Sequence, residues 1–470
     1  MRILTSLFIL LFLVACNQGT DSANNAWNSQ NNSNPEVCDD GVDNDGDGAA
    51  DCNDSDCWGA SNCLNNNMNN TNNVVQMFTL RGKVWAPGGD NTATHPDNIM
   101  PIPGALVAAY LSAPPEIPFC NECVDVPVGV RHVFSDTDGS FELDLIPNTT
   151  YFLVVQKGHF RRVTQYTAGE PDGYEDFEEN VGTAKDSRAT LPNKHDPANG
   201  FYMPRILVVK GTYNSIDDMS VVFGALGFQW QEALGQGNID AVNDYGSEIE
   251  AIAGSIDRLK DYNLIIFTCG GGSDFLTNAT YRNNMRQYVY EGGKLYVDDF
   301  AYDWAEQPFP EFLTFANSGG SDCAGGTVAP SSVGDCNIYS SYDPTGTAGD
   351  PYLDLWLDVI NPGGVIELEL AYDIIKSMGP GIQGLCDDDS DPNCQNGIYT
   401  APPKVWMYGT WSGYTMQPVT VSWNYYCGKV LYTTYHTEGG AGEGLLMLQE
   451  KIMFYLIMEM NTCTGPVVVE

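Results

Sequence analysis

Thiol, carboxylate and imidazole side chains follow the apolar runs in the second half of the chain. Cys269 and the glycines Gly270–Gly272 come directly after one run, and Asp298 and Asp299 come directly after the next. Continuous apolar runs of this length are typical of strands buried on both faces of a parallel sheet. Ligands in such sheets bind outside the carboxyl ends of the strands, so the sequence places any chemical site at this edge.

A third apolar run brings an imidazole and another carboxylate to the same edge. The run Lys429–Tyr435 is followed by His436 and Glu438. Together with Asp298 and Asp299, these groups could bind a divalent metal ion or pair a general base with an acid. The alternative is that an aspartate caps the turn after its strand while Glu438 holds His436, because aspartate at a strand end often serves turn formation alone.

Cys269 also has two interpretations. A thiol acts as a nucleophile only where a neighbouring group stabilises its thiolate, and His436 would have to be that neighbour. Otherwise Cys269 is a buried thiol that packs under the glycine turn.

The elements that position these residues alternate between strand and helix over residues 204–463. Strand-like runs at Arg205–Lys210 and Leu264–Phe267 alternate with helix-like stretches at 216–226 and 247–260. This β-α-β-α alternation predicts an α/β, flavodoxin-like domain with a mostly parallel sheet covered by helices on both faces. An irregular stretch with four cysteines, at about 306–403, is predicted to be an insertion.

A separate all-β unit is predicted for residues 75–168. Short alternating runs such as Phe78–Val84 and Phe141–Leu145 are separated by turn sequences, which predicts a small β-sandwich. Residues 169–203 are rich in glycine, proline and acidic side chains and are predicted to be a linker. The pattern LRGKV, IPGALVAAY, SDTDGSFELDL and YFLVVQKGHF resembles the carboxypeptidase regulatory-like, transthyretin-type domain, which implies a non-catalytic spacer or binding module.

The first residues have the features of an export signal. Arg2 precedes the apolar stretch Ile3–Val14, which is too short to span a bilayer. The sequence Leu13–Cys16 resembles the bacterial lipobox, which implies removal of residues 1–15 as a signal peptide and lipidation of Cys16. The protein is therefore expected in the bacterial cell envelope, lipid-anchored at the outer membrane or the cell surface.

Residues 37–63 have the spacing of a calcium-binding loop and lie between two asparagine-rich tethers, 16–36 and 64–74. The expected oxygen ligands are the carboxylates of Asp43, Asp45, Asp47, Asp51 and Asp54 and the backbone carbonyl of Ala49. Four cysteines bracket the loop, which favours calcium binding over an acidic disordered spacer. The segment resembles thrombospondin type 3 calcium repeats, which implies that calcium stiffens an otherwise disordered stalk.

The charge balance restricts the partners of the chain. Its net charge is −40, from 21 basic and 61 acidic residues. Nucleic-acid binding is not expected because the sequence contains no basic stripe that would contact phosphates. Such an acidic chain suits a solvated extracytoplasmic surface or the binding of cations.

Fourteen cysteines in an exported chain predict disulfide bonds. Lipidation of Cys16 leaves thirteen thiols, so at least one stays unpaired, and local pairing leaves Cys269 as that thiol. The local pairs expected downstream of the stalk are Cys120–Cys123, Cys323–Cys336, Cys386–Cys394 and Cys427–Cys463.

The last strand and helix carry a family resemblance. The sequence GKVLYTTYHTE followed by a long helix resembles the end of class I glutamine amidotransferase-like domains, which include the ThuA-like domains. The resemblance covers about Arg205–Asn461 and implies that His436 and Glu438 correspond to the His-x-Glu pair of that family. The family nucleophile is a cysteine in a tight Gly-x-Cys-x-Gly turn, and the matching turn here, Tyr296–Ala301, has no cysteine. Glutaminase activity is therefore not expected.

Together these features predict a lipid-anchored envelope protein with a binding or structural role and a degenerate amidotransferase-like domain. A glycan or a protein of the envelope is the expected ligand. The alternative is an extracytoplasmic hydrolase that acts on a glycan or an amide through His436 with Asp299 or Cys269. Converging side chains in an open pocket would favour the hydrolase, whereas a pocket filled by the insertion would favour the binding protein.

Overall fold

The structure is a computed structural model of the chain and is built from several β-sheets with a few helices. It describes residues 76–88, 93–120, 126–177, 187–211, 217–231, 234, 239–270, 274–316, 333, 341–386, 391–437 and 444–460. The signal peptide, Cys16, both tethers and the calcium loop that the sequence predicts lie outside these residues. Among the described residues, no helix combines the length and the apolar character needed to span a membrane.

The first unit consists of eight strands in two sheets. The strands are β1 (Phe78–Lys83), β2 (Leu106–Tyr110), β3 (Arg131–Phe134), β4 (Ser140–Leu145), β5 (Thr150–Lys157), β6 (Phe160–Thr167), β7 (Tyr174–Asp176) and β8 (Phe201–Tyr202). One sheet has the order β4-β1-β7 and the other has the order β3-β2-β5-β6-β8. Alternate residues of β1 and β4 are buried, as the sequence pattern requires for strands with one face against a core. Leu80 and Leu143 of the smaller sheet belong to the same apolar cluster as Val107 and Leu153 of the larger one.

The segment predicted to be a linker, 169–203, instead contributes to this unit. Its strand β7 pairs in parallel with β1, and its strand β8 pairs with β6. Phe177 and Leu191 from the same segment are buried in the apolar cluster. The sequence does not reveal these strands because they are only three and two residues long and carry acidic and aromatic side chains rather than an apolar alternation.

Among the described residues, the second unit contains the remaining strands and seven α-helices. The strands are β9 (Ile206–Lys210), β10 (Trp230–Gln231), β11 (Ile239–Asn243), β12 (Leu264–Phe267), β13 (Lys294–Asp298), β14 (Leu313–Ala316), β15 (Thr345–Ala348), β16 (Ile366–Glu367), β17 (Ile374–Met378), β18 (Gly381–Leu385), β19 (Cys394–Gln395), β20 (Ile398–Ala401), β21 (Lys404–Trp411), β22 (Tyr414–Tyr425) and β23 (Gly428–Thr433). The helices are α1 (Met219–Ala225), α2 (Ser247–Ala253), α3 (Ile256–Leu259), α4 (Ala279–Tyr290), α5 (Asp303–Glu306), α6 (Pro351–Ile360) and α7 (Leu448–Met460).

A ten-stranded mixed sheet is the centre of the second unit. Its order is β10-β11-β9-β12-β13-β23-β22-β21-β15-β16. In this order, the first six strands, β10, β11, β9, β12, β13 and β23, run parallel to one another. The remaining four, β22, β21, β15 and β16, are joined to β23 and to each other by antiparallel pairings. The sheet is therefore mixed rather than mostly parallel. The antiparallel pairings β21–β22 and β22–β23 follow from short hairpin connections, which can join only antiparallel neighbours.

Helix α4 shows how local sequence sets the elements beside the site. Its N-cap is Asn278, whose side chain accepts a hydrogen bond from the backbone NH of Thr280. The helix stops at Gly292, which has a φ of +120°. A side chain there would also clash with the backbone of Phe119 and Cys120, so glycine lets the first unit approach this turn.

A disulfide at this close approach joins the two units. Cys120 pairs with Cys427, 307 residues away, so the predicted pairs Cys120–Cys123 and Cys427–Cys463 are wrong. The local pair Cys386–Cys394 is confirmed, and Cys269 is the unpaired thiol among the described residues. The pair Cys323–Cys336 lies outside the described residues.

The contact between the units is also apolar and ionic. The rings of Phe160, Phe228 and Phe454 meet at the junction with centroids 5.8 to 6.5 Å apart. Lys157 forms an ion pair of 2.6 Å with Glu459 while only 6 % of its side chain is exposed. The two units therefore share one continuous core instead of being joined by a flexible connection.

Candidate functional site

The turn after β13 has an unusual backbone. Asp298 ends the strand and Asp299 begins a short 3₁₀ turn with a φ of +40°. This left-handed region is uncommon for residues other than glycine and persists only where surrounding contacts maintain it. Here the Asp299 carbonyl accepts a hydrogen bond from the Tyr432 hydroxyl at 3.3 Å, and its Oδ1 accepts one from the backbone NH of Tyr372 at 3.2 Å.

His436 follows β23 and contacts the same aspartate. Its Nδ1 lies 2.9 Å from Asp299 Oδ2, a hydrogen-bonding distance between two buried side chains. Burial raises the pKa of Asp299 to about 6, although the hydrogen bond and charge of His436 act to lower it. The strands that carry the two residues, β13 and β23, are direct neighbours in the sheet, which explains the contact.

Cys269 completes a group of three ligand-type side chains. It follows β12, and its Sγ lies 3.6 Å from Asp299 Oδ2. Burial, followed by the charges of Asp299, Asp298 and Asp217, raises the pKa of the Cys269 thiol far above its usual range. The side chain is therefore a neutral thiol in the metal-free protein, since its surroundings oppose a thiolate.

Asp217 is a site residue that the sequence did not indicate. It lies in the loop between β9 and α1, is fully buried, and accepts a hydrogen bond from the backbone NH of Cys269 at 2.8 Å. It also accepts bonds from the backbone NH and the hydroxyl of Thr437, at 3.1 and 2.5 Å. Asp217 thus ties the ends of two strands together. Its position after a buried apolar strand is the signal that would have found it.

Asp298 is also fully buried at the end of β13. Burial, with the charges of Asp217 and Asp299 next in size, raises its pKa well above the ordinary range for an aspartate. Its surroundings therefore oppose ionisation of the carboxyl group.

The insertion covers the edge of the sheet. The backbone NH of Tyr372 contacts Asp299, and its ring lies parallel to the His436 imidazole with the centroids 6.0 Å apart. Asp373 is fully buried and accepts a hydrogen bond from the Tyr432 hydroxyl at 3.3 Å. Burial and then the charge of Asp299 raise the pKa of Asp373 well above its ordinary range. The segment Ala371–Asp373 therefore packs directly against the Asp299–His436 pair.

The predicted site residues thus converge but are sealed. Cys269, Asp298, Asp299 and His436 come together, with at most 4 % of any of these residues exposed. Glu438 and two of the glycines after Cys269 lie outside the described residues. Asp217, Asp373 and Tyr432 are the members that the sequence did not predict. The arrangement can hold protons or a cation, but in this conformation it cannot admit a substrate.

An open cavity lies elsewhere, on the first unit. It has a volume of about 870 Å³ and is bordered by β6, β8 and the extended segment 113–117. Its lining residues include Arg161, Arg162 and Arg188 but only one carboxylate, Glu116. A volume of this size falls in the range of small-molecule binding sites.

Comparisons with known proteins do not identify a family. No protein-family model and no curated protein sequence matches the chain. Two cytoplasmic proteins of Salmonella typhimurium are each 13 % identical to it, with TM-scores of 0.29 and 0.27, covering 47 % and 49 % of this chain and 80 % and 83 % of their own. A GH42 β-galactosidase of G. stearothermophilus is 11 % identical with a TM-score of 0.26, and the match covers 56 % of this chain and 31 % of the enzyme. Likenesses this weak assign no function.

Proposed function

We propose that the chain is a lipid-anchored protein of the bacterial cell envelope that binds a ligand without catalysing a reaction. The observation that carries the non-catalytic part is the sealing of Asp299 and His436 under residues 371–373. Catalysis requires a reacting atom to come within about 3 Å of the base or nucleophile. The protein packs residues 371–373 directly against Asp299 and His436.

The chemistry of the individual side chains supports the same conclusion. The turn Tyr296–Ala301 offers a carboxylate where amidotransferases have a nucleophilic cysteine. Cys269, the nearest thiol, is held neutral by burial and by surrounding carboxylates. Neither group is an activated nucleophile in this conformation.

The finer fold assignment is part of the proposal. We assign residues 75–168 to a transthyretin-type β-sandwich and residues 204–463 to a degenerate, flavodoxin-like amidotransferase domain. The parallel half of the sheet, with Asp299 at the strand-end turn and His436 after β23, supports the second assignment. In this proposal Cys16 carries the lipid, and calcium bound by the loop at 43–54 stiffens the stalk.

The cavity of the first unit is the proposed ligand site. Its lining includes Arg161 and Arg162, which are buried and donate hydrogen bonds to the backbone carbonyls of Pro115 and Thr190. Arg188 also lines the cavity and forms an ion pair of 2.7 Å with Glu175. The guanidinium of Arg162 lies 4.7 Å from the centre of the Phe201 ring. Positive charge beside aromatic rings suits an anionic ligand with apolar faces. An acidic glycan, such as a polymer of uronic acids, has both properties and is the ligand class we propose.

Binding to polygalacturonate tests this assignment, with dextran of similar length as the neutral comparison. We expect the full chain to bind polygalacturonate and not dextran. Tyr202→Ala, in the cavity lining, should weaken binding about tenfold, or roughly 1.4 kcal/mol, because it removes an aromatic contact. Tyr174→Ala, an exposed tyrosine outside the lining, is the matched control. Equal affinity of wild type and Tyr202→Ala would refute the cavity as the ligand site.

One observation favours a hydrolase as the second candidate. Asp299 has a strained backbone at a strand-end turn and lies 2.9 Å from an imidazole, as expected for a positioned catalytic group. Chromogenic glycosides and amides therefore provide the critical assay. We expect no turnover by the wild-type chain above that of Asp299→Asn. Turnover that disappears in Asp299→Asn would establish the hydrolase and refute the non-catalytic proposal.

A further inference from the structure

Three side chains of different chemistry meet at the sealed edge of the large sheet. Cys269 Sγ, Asp299 Oδ2 and His436 Nδ1 all lie within 4.8 Å of one another. Each residue follows a different strand, β12, β13 or β23, and these strands are consecutive neighbours in the sheet. Sulfur, carboxylate oxygen and imidazole nitrogen are the three donor types that zinc sites in proteins use.

The separations are close to those of a tetrahedral site. With metal–ligand distances of about 2.0–2.3 Å, neighbouring nitrogen and oxygen ligands lie about 3.3 Å apart, and sulfur and oxygen ligands about 3.5 Å apart. The corresponding distances here are 2.9 Å for His436 to Asp299 and 3.6 Å for Cys269 to Asp299. An opening of the first distance by about 0.4 Å would accommodate the ion, and small side-chain rotations suffice for that.

The charges around the three residues also favour a cation. The carboxyl groups of Asp217, Asp298 and Asp373 are fully buried beside Asp299. Carboxyl oxygens buried together in a low-dielectric interior are stabilised by a positive charge placed among them. A bound divalent ion is the largest local charge that such a site can gain.

We infer that Cys269, Asp299 and His436 bind one zinc ion. The sulfur ligand selects a borderline-soft metal over calcium, which takes hard oxygen ligands, so this site is chemically distinct from the predicted loop at 43–54. On binding, the Cys269 thiol releases its proton to solvent and the sulfur coordinates the metal as a thiolate. One water enclosed with the ion would complete the four-coordinate shell. The ion would crosslink the ends of three strands, and the closed edge would keep a substrate away from the coordinated water.

This inference does not depend on the proposed ligand binding. A zinc ion would stabilise a scaffold as well as an enzyme, and the cavity of the first unit is lined by other residues. Failure of polygalacturonate binding would therefore leave the zinc site intact, and absence of the metal would leave the cavity intact.

Cobalt substitution tests the site directly. Because the three residues are buried, the metal should be supplied during expression or refolding of the full chain rather than added to folded protein. We expect one Co²⁺ per chain with the intense visible bands of tetrahedral geometry and a near-ultraviolet charge-transfer band from thiolate to cobalt. Zinc supplied in the same way should be retained at one ion per chain after dialysis against metal-free buffer.

Two variants locate the metal. Cys269→Ala should lose the charge-transfer band, and His436→Gln should lose at least half of the retained metal. His132→Ala is the matched control because His132 is exposed on β3, away from the large sheet. Circular dichroism establishes that each variant is folded.

Two results would overturn the zinc assignment. An octahedral cobalt spectrum without a thiolate band in wild-type protein would overturn the inference, even if the variants failed to fold. The same conclusion would follow if Cys269→Ala retained the band, because another cysteine would then be the ligand.

Discussion

The disulfide between Cys120 and Cys427 should contribute more to stability than the other disulfide of the described chain. It closes a loop with a sequence separation of 307, whereas Cys386–Cys394 closes one with a separation of 8. In the chain-entropy account, these separations correspond to about 5.7 and about 2.5 kcal/mol at 25 °C. The long-range bond should therefore stabilise the protein by about 3 kcal/mol more.

Paired serine substitutions measure the difference without leaving an unpaired thiol. The test variant is Cys120→Ser with Cys427→Ser, and the matched control is Cys386→Ser with Cys394→Ser. Urea unfolding followed by far-ultraviolet circular dichroism gives the free energy of unfolding for each. Mass spectrometry of a non-reduced digest should also recover a peptide that joins Cys120 to Cys427.

The sign of the difference in stability loss between the two double-serine variants tests this reasoning. The reasoning fails if the test variant loses no more stability than the control, because loop length would then not determine the contribution of the bond. Recovery of a Cys120–Cys123 peptide from wild-type protein would refute the connection between the units itself.

Three further predictions concern the junction, the anchor and the stalk. Phe160→Ala should destabilise the protein by about 3–5 kcal/mol, because the ring lies between the units, and chemical unfolding should show less than about 0.5 kcal/mol for the exposed Phe134→Ala. Cys16→Ala should abolish incorporation of labelled palmitate and release the protein from the membrane fraction, whereas retention of the label would refute the lipobox assignment. EGTA should increase chymotryptic cleavage at Trp27, Trp58 and Leu64 in wild-type protein but not in Asp47→Ala, and equal sensitivity of both would exclude a calcium-dependent stalk.

Strand positions were the most predictable part of the second unit. The apolar run 264–267 is β12 as predicted, and β13 includes Asp298, which the sequence placed directly after its apolar run. Strand β11 was missed because Asp240 interrupts its apolar sequence. That carboxylate is buried, but the Tyr262 hydroxyl donates to it at 3.0 Å. The buried aspartate makes the sequence of β11 look polar, although its carboxylate has a hydrogen-bond partner. The sequence pattern alone does not show such a partner, so the strand was not predicted.

Partners far apart in sequence were less predictable. The pairing of Cys120 with Cys427 depends on the close approach that Gly292 permits, a contact between three separate parts of the chain. The sequence predicted a mostly parallel sheet, whereas β21 and β22 pair in antiparallel fashion. Only Ser412 and Gly413 connect them, and so short a connection joins only antiparallel neighbours.

The candidate site contains one feature that the sequence predicted and one that it did not. The rule that functional residues gather at the carboxyl ends of parallel strands predicted the meeting of Cys269, Asp299 and His436, because it depends only on strand order and direction. It could not predict that Tyr372 would close the site, because residues 371–373 belong to an insertion whose path is set by tertiary contacts. The same closure that excludes a substrate also removes water from the carboxylates, and this desolvation is the physical reason to expect a compensating cation. Sealing and metal binding are therefore two consequences of one arrangement.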